Sequence, residues 1–432
     1  MPSLPRSTPR IDIDFTDERL TGRAGYTFLS EQAEQTGLVN LLTSHIKIKK
    51  RQRGASDSEM LWSLVASLAS GHGHLSDVDA LGCDPVAMQL LGLKDVPDSR
   101  RLGEYLGRFD SSSVAALLDV VDKLSRQIAR DVIDHESNQR GYIPIFMDGS
   151  GIEVDGQLFE GAGRGYNGDI QYWLHTVFIG GLWVAGKLHH GGVDVAKGWQ
   201  EQLEEQVAPL LNPDDAVWLR CDNAYYRKGV VEYCLEQGWD YSISLTNNRN
   251  KAPVLECLED LPESAWEDIG GGESATWSSH TPAGWPSRQT YVVIRKHYDG
   301  VQQELIPMYT VILVSRDDLP LKELVKRHRG KQGQENALKG PLIEMGLHHP
   351  PMRSFHGNQA FYLCGQLAQL LLRAVQFRLL PTSARKHGIR PLIRYLMCTV
   401  ARLISTGRCW RICFAKNAFR LDWLWFAAVR RE

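Results

Sequence analysis

Apolar residues recur along this chain with two different periods, and the change from one to the other comes near residue 141. Upstream, residues 11–135 repeat their apolar positions mainly at helical spacing. Ser56 followed by Glu59 has the form of a capping box and opens a periodic run to about Ala69. Asp110 and the serines after it precede VAALLDVVDKLSRQIARDVI, a second long helical pattern. A helical N-terminal domain is expected over 11–135, behind a disordered, Pro-containing head at 1–10. Downstream the pattern becomes strand-like. GYIPIFMDGSGIEV predicts a strand, a Gly-marked turn and a second strand, and QYWLHTVFIGGLWVAGKLHHGG one or two more. AKGWQEQLEEQVAPLL then reads as a helix, AVWLRCDN as a strand ending at Asp222, KGVVEYCLEQG as a helix and WDYSISLT as a strand. This β-β-β-α-β-α-β order predicts an α/β mixed sheet with helices packed on it. TYVVIRKHY and MYTVILVSR alternate well, so 247–320 reads as an inserted β-rich subdomain. LKELVKRHRGKQGQENALKGPLIEMGL returns to helix, with Gly330 and Gly333 as weak points. The expected core is therefore 136–246 with 321–380, followed by a tail at 381–432.

Composition narrows the class without naming a function. The 432 residues are 43% hydrophobic and 23% charged, ordinary for a globular protein with material for more than one core. The net charge of −2 is uninformative, but its distribution is not. Residues 45–53, HIKIKKRQR, hold five Lys/Arg and no acid, and residues 385–432 hold eleven against Asp422 and Glu432. Basic ends around a more acidic middle suit a protein that grips phosphates at some surfaces and gathers carboxylates at another; solvated helix faces are the plainer alternative. The eight cysteines form no pair of CxxC motifs, which argues against a zinc site. The first ten residues lack the apolar run of a signal peptide. The longest apolar stretch, 360–380, is broken by Gln366, Gln369, Arg373, Gln376 and Arg378, as in an amphipathic helix and not a membrane span. A cytoplasmic protein with reduced thiols is expected.

The candidate chemistry lies in three acids. Asp148 follows the apolar run YIPIFM, and Asp222 follows AVWLRC. If those strands are neighbours, two like charges lie a few ångströms apart, and a divalent cation is the usual remedy. Hard oxygen ligands suit Mg²⁺ or Mn²⁺. A third carboxylate from a helix crossing the sheet would complete a two-ion site for hydrolysis or transesterification of phosphodiesters. Glu335 is the best candidate, because Lys331 and Lys339 stand four residues to either side and share its helix face. Taken singly, each aspartate also reads as a turn or cap residue after a strand, and Glu335 as part of a salt-bridged surface helix. The order strand Asp, strand Asp, β insertion, helix Glu is more specific than any one of them.

The ordered motifs FMDGSGIEVDG, the glycine loop with Gly161, Gly165, Tyr166 and Gly168, LRCDNAYY, LEQGWDYSISL, HRGKQGQENALKG and MRSFHGNQAFYLCGQLAQLLL with Asn358 resemble bacterial insertion-sequence transposases of the DDE class. The likeness is to the group with a β-strand insertion before the catalytic Glu, and it spans about residues 10–380. It implies an RNase H-like catalytic core with Asp148, Asp222 and Glu335 as catalytic, metal-holding triad and two Mg²⁺ or Mn²⁺ ions. It implies binding of terminal inverted repeats, cleavage at the element's ends and strand transfer into target DNA. Double-stranded DNA would be the partner, with a homodimer in the DNA complex, nucleoid-associated when bound, and no membrane. Arg164, Arg227, Lys228, Arg329, Lys331 and Lys339 would hold phosphates. The wider group's signature puts Tyr, Arg, Glu and Lys where this chain has His328, Lys331, Glu335 and Leu342; Lys339 and Arg329 stand nearby as substitutes, although Lys does not reproduce an Arg fork. A catalytically silent DNA-binding derivative and a structure-specific nuclease on the same core are the alternatives.

Other signals carry less. Gly163–Gly168 fits GxGxxG, but a strand follows it where a dinucleotide site needs a helix. His189, His190 and Asp194 read as a glycine-rich turn. Cys409 and Cys413 lack two further ligands. The aromatic residues of the tail, Trp410, Phe414, Phe419, Trp423, Trp425 and Phe426, read as a helix packing on the core with arginines outward, with base stacking as the alternative.

Overall fold

A computed structural model of the chain describes residues 14–16, 18–51, 53–155, 158–165, 168–296, 308–330, 338–407 and 409–430. The expected disordered head at 1–10, Lys331 and Glu335 lie outside the described residues.

Strand β1 is Leu20–Thr21, and helices follow it from Tyr26 to Arg140. The Ser56–Glu59 capping box is formed in both directions, the Ser56 amide donating to Glu59 and the Glu59 amide to Ser56. Helix Ser111–Arg140 starts at a second capping box on Asp110 and stops at Gly141, whose φ of 73° is the left-handed conformation that ends helices. Its row of Leu117, Val121, Leu124, Ile128 and Val132 is fully buried.

Ten strands then form one mixed sheet: β2 Ile143–Glu153, β3 Gly163–Arg164, β4 Ile170–Ile179, β5 Leu182–His189, β6 Val217–Cys221, β7 Asp240–Leu245, β8 Glu267–Gly270, β9 Glu273–His280, β10 Gln289–Lys296 and β11 Met308–Val314. The order is β3-β4-β2-β6-β7-β11-β10-β9-β8, with β5 also on β4. β4 is antiparallel to β2, while β2, β6 and β7 are mutually parallel. This is the α/β architecture expected, a mixed sheet flanked by helices in the RNase H-like manner. Strands β8 to β11 do not form a separate sheet. β11 pairs with β7, so they extend the same one.

At β6, β10 and β11 two core clusters occupy opposite faces of the sheet. Leu219, Tyr241 and Ile243 join the larger core with Val230, Val231 and Cys234 of helix Lys228–Gln237. Their alternate neighbour Trp218 joins Val292, Ile312 and Val314 beneath Leu321, Leu324 and Val325 of helix Leu321–Arg329. Period-2 alternation thus sends adjacent residues of β6 into different layers. The buried helix Phe355–Ala374 closes the β4–β5 hairpin, with the Gln369 amide donating to the Gly181 carbonyl (2.8 Å) and the Gln366 amide to that of Trp183 (3.1 Å).

Two local expectations are corrected. No turn interrupts 143–153, and β2 runs straight through Asp148, Gly149 and Gly151. The glycines serve close approach: a Cβ on Gly149 would stand 2.4 Å from Val195 Cγ1, and one on Gly151 2.6 Å from Gln171 Oε1. The aromatic tail is not one helix. β12 Ala401–Thr406 and β13 Cys409–Phe414 form a hairpin on β1, and only Leu421–Val429 is helical, burying Trp423 and leaving Trp425 exposed. Cys409 and Cys413 therefore sit at different points along a strand. All eight cysteines are free thiols. Among the described residues no helix is long and apolar enough to cross a membrane.

Candidate active site

Parallel pairing of β2 with β6 puts Met147 opposite Cys221. Asp148 and Asp222 each stand one residue further on, so the two half-buried acids occupy adjacent strand positions about 5 Å apart between backbones. Both are held by backbone amides. Gly149 N–H donates to Asp148 Oδ1 (2.9 Å), and Ala224 N–H donates to Asp222 Oδ1 (3.0 Å), making Asp222 the cap of the turn Asn223–Tyr225. Asn223 Oδ1 accepts from the amides of Thr246 and Asn247, tying the end of β6 to that of β7. Strand order therefore converges the two acids, and the turn after β6 fixes the second.

Behind them lies Tyr225, fully buried, with no hydrogen-bond partner for its hydroxyl among the described residues. Burial, and then the negative charges of Asp148 and Asp222, push its pKa well above the usual tyrosine value, so it stays neutral. Its ring meets His175 edge-on at 5.6 Å. The His175 Nδ1 contacts Gln202, and burial lowers the pKa of this imidazole to about 4. A neutral wall thus backs the acid pair and supplies no counter-charge.

On the acids' own face, Arg220 and Trp218 precede Asp222 at alternate positions of β6. Arg220 is 1% exposed and donates through Nη1 to the carbonyl of Arg327 at 2.8 Å. His328 contacts Ser242 (Nδ1, 2.9 Å) and Ser244 (Nε2, 2.7 Å) on β7, so helix Leu321–Arg329 is pinned across β6 and β7. That helix leads into the segment carrying Lys331 and Glu335. Among the described residues no cluster of three or more His, Cys, Asp or Glu is assembled that would hold a metal. Asp148 and Asp222 supply two adjacent carboxylate donors, a set that fits a hard divalent cation.

The other residues singled out from sequence are dispersed. Arg227 forks onto Asp194 at 2.6 and 2.7 Å, which also lowers the Asp194 pKa. Lys228 pairs with Glu232 at 3.2 Å, and Arg329 with Glu273 at 2.6 Å. Arg164, on β3, and Lys339 are exposed, with no ion pair among the described residues. His189 ends β5, His190 stacks on Phe355 at 4.2 Å and Asp194 faces Arg227, so those three do not converge. Sequence reasoning passed over Arg220, Tyr225 and the Ser242–Ser244 pair. The signal for Arg220 was a guanidinium inside an otherwise apolar strand; the two serines offered none.

A search of curated proteins returns no match. The family model described as Transposase DDE domain group 1 matches residues 4–430, nearly the whole chain. Transposases of this kind generally use divalent metal ions. With its mixed RNase H-like sheet and this match from end to end, the chain belongs to the DDE transposase family.

Proposed function

We propose that this transposase binds the terminal inverted repeats of a mobile element, cuts the DNA at its ends and joins the freed 3′-hydroxyls to target DNA. Asp148, Asp222 and Glu335 are its catalytic carboxylates and would hold two Mg²⁺ or Mn²⁺ ions. The observation that carries the reading is the adjacency of Asp148 and Asp222 on parallel strands, facing the side crossed by helix Leu321–Arg329. Glu335 follows Gly330 by five residues, a reach of at most about 17 Å for extended chain. The ions would activate the attacking oxygen and neutralise charge on the leaving one. The chain's own part is positioning: the amides of Gly149 and Ala224 orient the acids, while Arg164 and Lys339, together with Arg227, Lys228, Arg329 and Lys331, hold phosphates. The helical region 11–135 docks on DNA, and two copies synapse the two ends. The protein acts in the cytoplasm, on the nucleoid.

The test is nicking and joining of a DNA fragment carrying the element's ends, with Mg²⁺, with Mn²⁺ and with EDTA. Wild type should cut and join only with metal. Asp148→Asn, Asp222→Asn and Glu335→Gln should each lower the rate at least about a hundredfold while still binding the fragment. Binding without cutting in wild type would identify a silent DNA-binding derivative. Cutting that ignores the terminal repeats and never joins would identify a nuclease.

A further inference from the structure

On the face of β6 that carries Arg220 is a cavity of about 660 Å³ that the sequence did not suggest. Its described walls come from distant parts of the chain: helix Ser111–Arg140, the Gly180–Gly181 turn, Arg220 of β6, Arg373 and the 385–389 turn. They carry five cationic side chains, Arg140, Arg220, Arg373, Arg385 and Lys386, and one acid, Glu136. Glu136 is already engaged by Arg140. Arg373, 6% exposed, is met by the neutral carbonyls of Gly181 and His387 and by Gln376. Arg220 has the Arg327 carbonyl on Nη1, and its buried Nε has no partner among the described residues. Burial lowers the Arg373 guanidinium pKa to about 10, which leaves it charged at neutral pH. Buried charge left without a counter-ion is costly, and it is ordinarily paired. Among the described residues, Glu136 is the one acid on these walls for five cations.

The position matters as much as the charge. Arg220 is two residues before Asp222 on the same face of β6, about 7 Å away. That is about two steps of the ~3.4 Å axial rise per charge along one DNA strand. Gly330 and Gly340, the described residues on either side of Lys331–Glu335, also line the cavity. A Cβ on Gly330 would come 2.4 Å from Arg220 Nη1, so a larger residue there would push this guanidinium aside.

We propose that this cavity is a phosphodiester-binding subsite, in which Arg220, Arg385 and Lys386 hold a backbone phosphate of the DNA strand one or two nucleotides from the reacting bond. The proposal rests on the DNA-processing reading above and deepens it. A planar guanidinium fork suits a phosphate's oxygens, which explains why arginines and not lysines form the inner wall.

The test uses the full chain and the double variant Arg385→Gln/Lys386→Gln; Lys386 is exposed, while Arg385 is half-buried and donates to the Phe377 carbonyl (3.1 Å), so the variant's thermal midpoint in chloride is the control for its fold. Arg220→Met serves as a second variant. One arm measures the thermal midpoint with millimolar inorganic phosphate against chloride at matched ionic strength. Phosphate should raise the wild-type midpoint and raise that of the double variant less. The other arm measures affinity for a duplex with the element's ends across salt concentrations. The variant should bind about tenfold more weakly, with its log K against log salt slope smaller by about one to two. A phosphate effect with unchanged DNA affinity and slope would assign the cavity to free phosphate and overturn the DNA subsite. The absence of both effects in wild type and variant alike would overturn anion binding. Failure of wild type to bind DNA at all, with the phosphate effect intact, would instead reject the DNA-processing reading.

Discussion

Arg220 of β6 donates to the backbone carbonyl of Arg327 at 2.8 Å, joining the strand that ends at Asp222 to the helix that leads toward Glu335. One buried side chain thus connects the strand before Asp222 to the helix before the segment that carries Glu335.

That link predicts an asymmetry between substitutions. Arg220→Met removes a charged hydrogen bond worth about 1.5–3 kcal/mol. It also removes a desolvated cation whose lowered pKa corresponds to a penalty of similar size. The two effects offset, so Met should change unfolding stability by no more than about 1 kcal/mol. Arg220→Ala leaves a cavity as well and should cost about 2–4 kcal/mol. Urea unfolding of both variants decides the matter. Equal losses would mean that the cation itself holds the fold together.

The two glycines of β2 should respond differently to a methyl group. In Gly149→Ala the new Cβ meets Val195 at Cγ1 (2.4 Å) and at its carbonyl oxygen (3.1 Å), and the strand must shift next to Asp148. A loss of about 1–3 kcal/mol is expected, together with a slower DNA cleavage rate. In Gly151→Ala the nearest atom is the end of the Gln171 side chain, which can turn away. Its effect should be smaller on both measurements. A Gly151 variant as damaged as the Gly149 variant would show that Gln171 is fixed.

Stability should fall as the solution is acidified below about pH 6.5. Burial lowers His175 and His189 to about 4, from an ordinary value of 6.5. Between those limits the unfolded chain binds the protons and the folded chain does not, so each histidine removes up to about 1.4 kcal/mol per pH unit. Asp122 opposes this. Burial raises it to about 6, so from about 6 downward to its unfolded value of 3.8 it takes up a proton in the folded state and adds stability. Two imidazoles outweigh one carboxyl, and the net slope stays positive with pH. Urea midpoints at pH 7.5, 6 and 5 for wild type and His175→Gln/His189→Gln measure it; the double variant should lose the positive slope and, from pH 6 to 5, keep only the opposing contribution of Asp122. An unchanged slope would place its origin in other groups.

Much of the secondary structure was legible because its signals are local. The Ser56–Glu59 and Asp110 caps, Gly141 and Gly238 after their helices, and the alternation in β10 and β11 all follow from neighbours within a few residues. Where glycine serves packing instead of turning, that local grammar misleads. Gly149 and Gly151 sit inside one continuous strand because Val195 and Gln171, both distant in sequence, press against it. The tail fails for a related reason. Residues 401–414 have aromatic and apolar positions compatible with either period, and their strand state depends on a partner, Leu20–Thr21, at the other end of the chain.

By itself the sequence determined the periods, the caps and the placing of Asp148 and Asp222 directly after apolar runs, since these depend on side-chain chemistry repeated over short distances. Only the tertiary structure decided that β2 and β6 are parallel neighbours, that β8 to β11 extend the same sheet, and that five cations surround one cavity. Strand pairing and charge clustering join residues remote in the chain, and their energies come from burial and hydrogen bonds that exist only after the layers have packed.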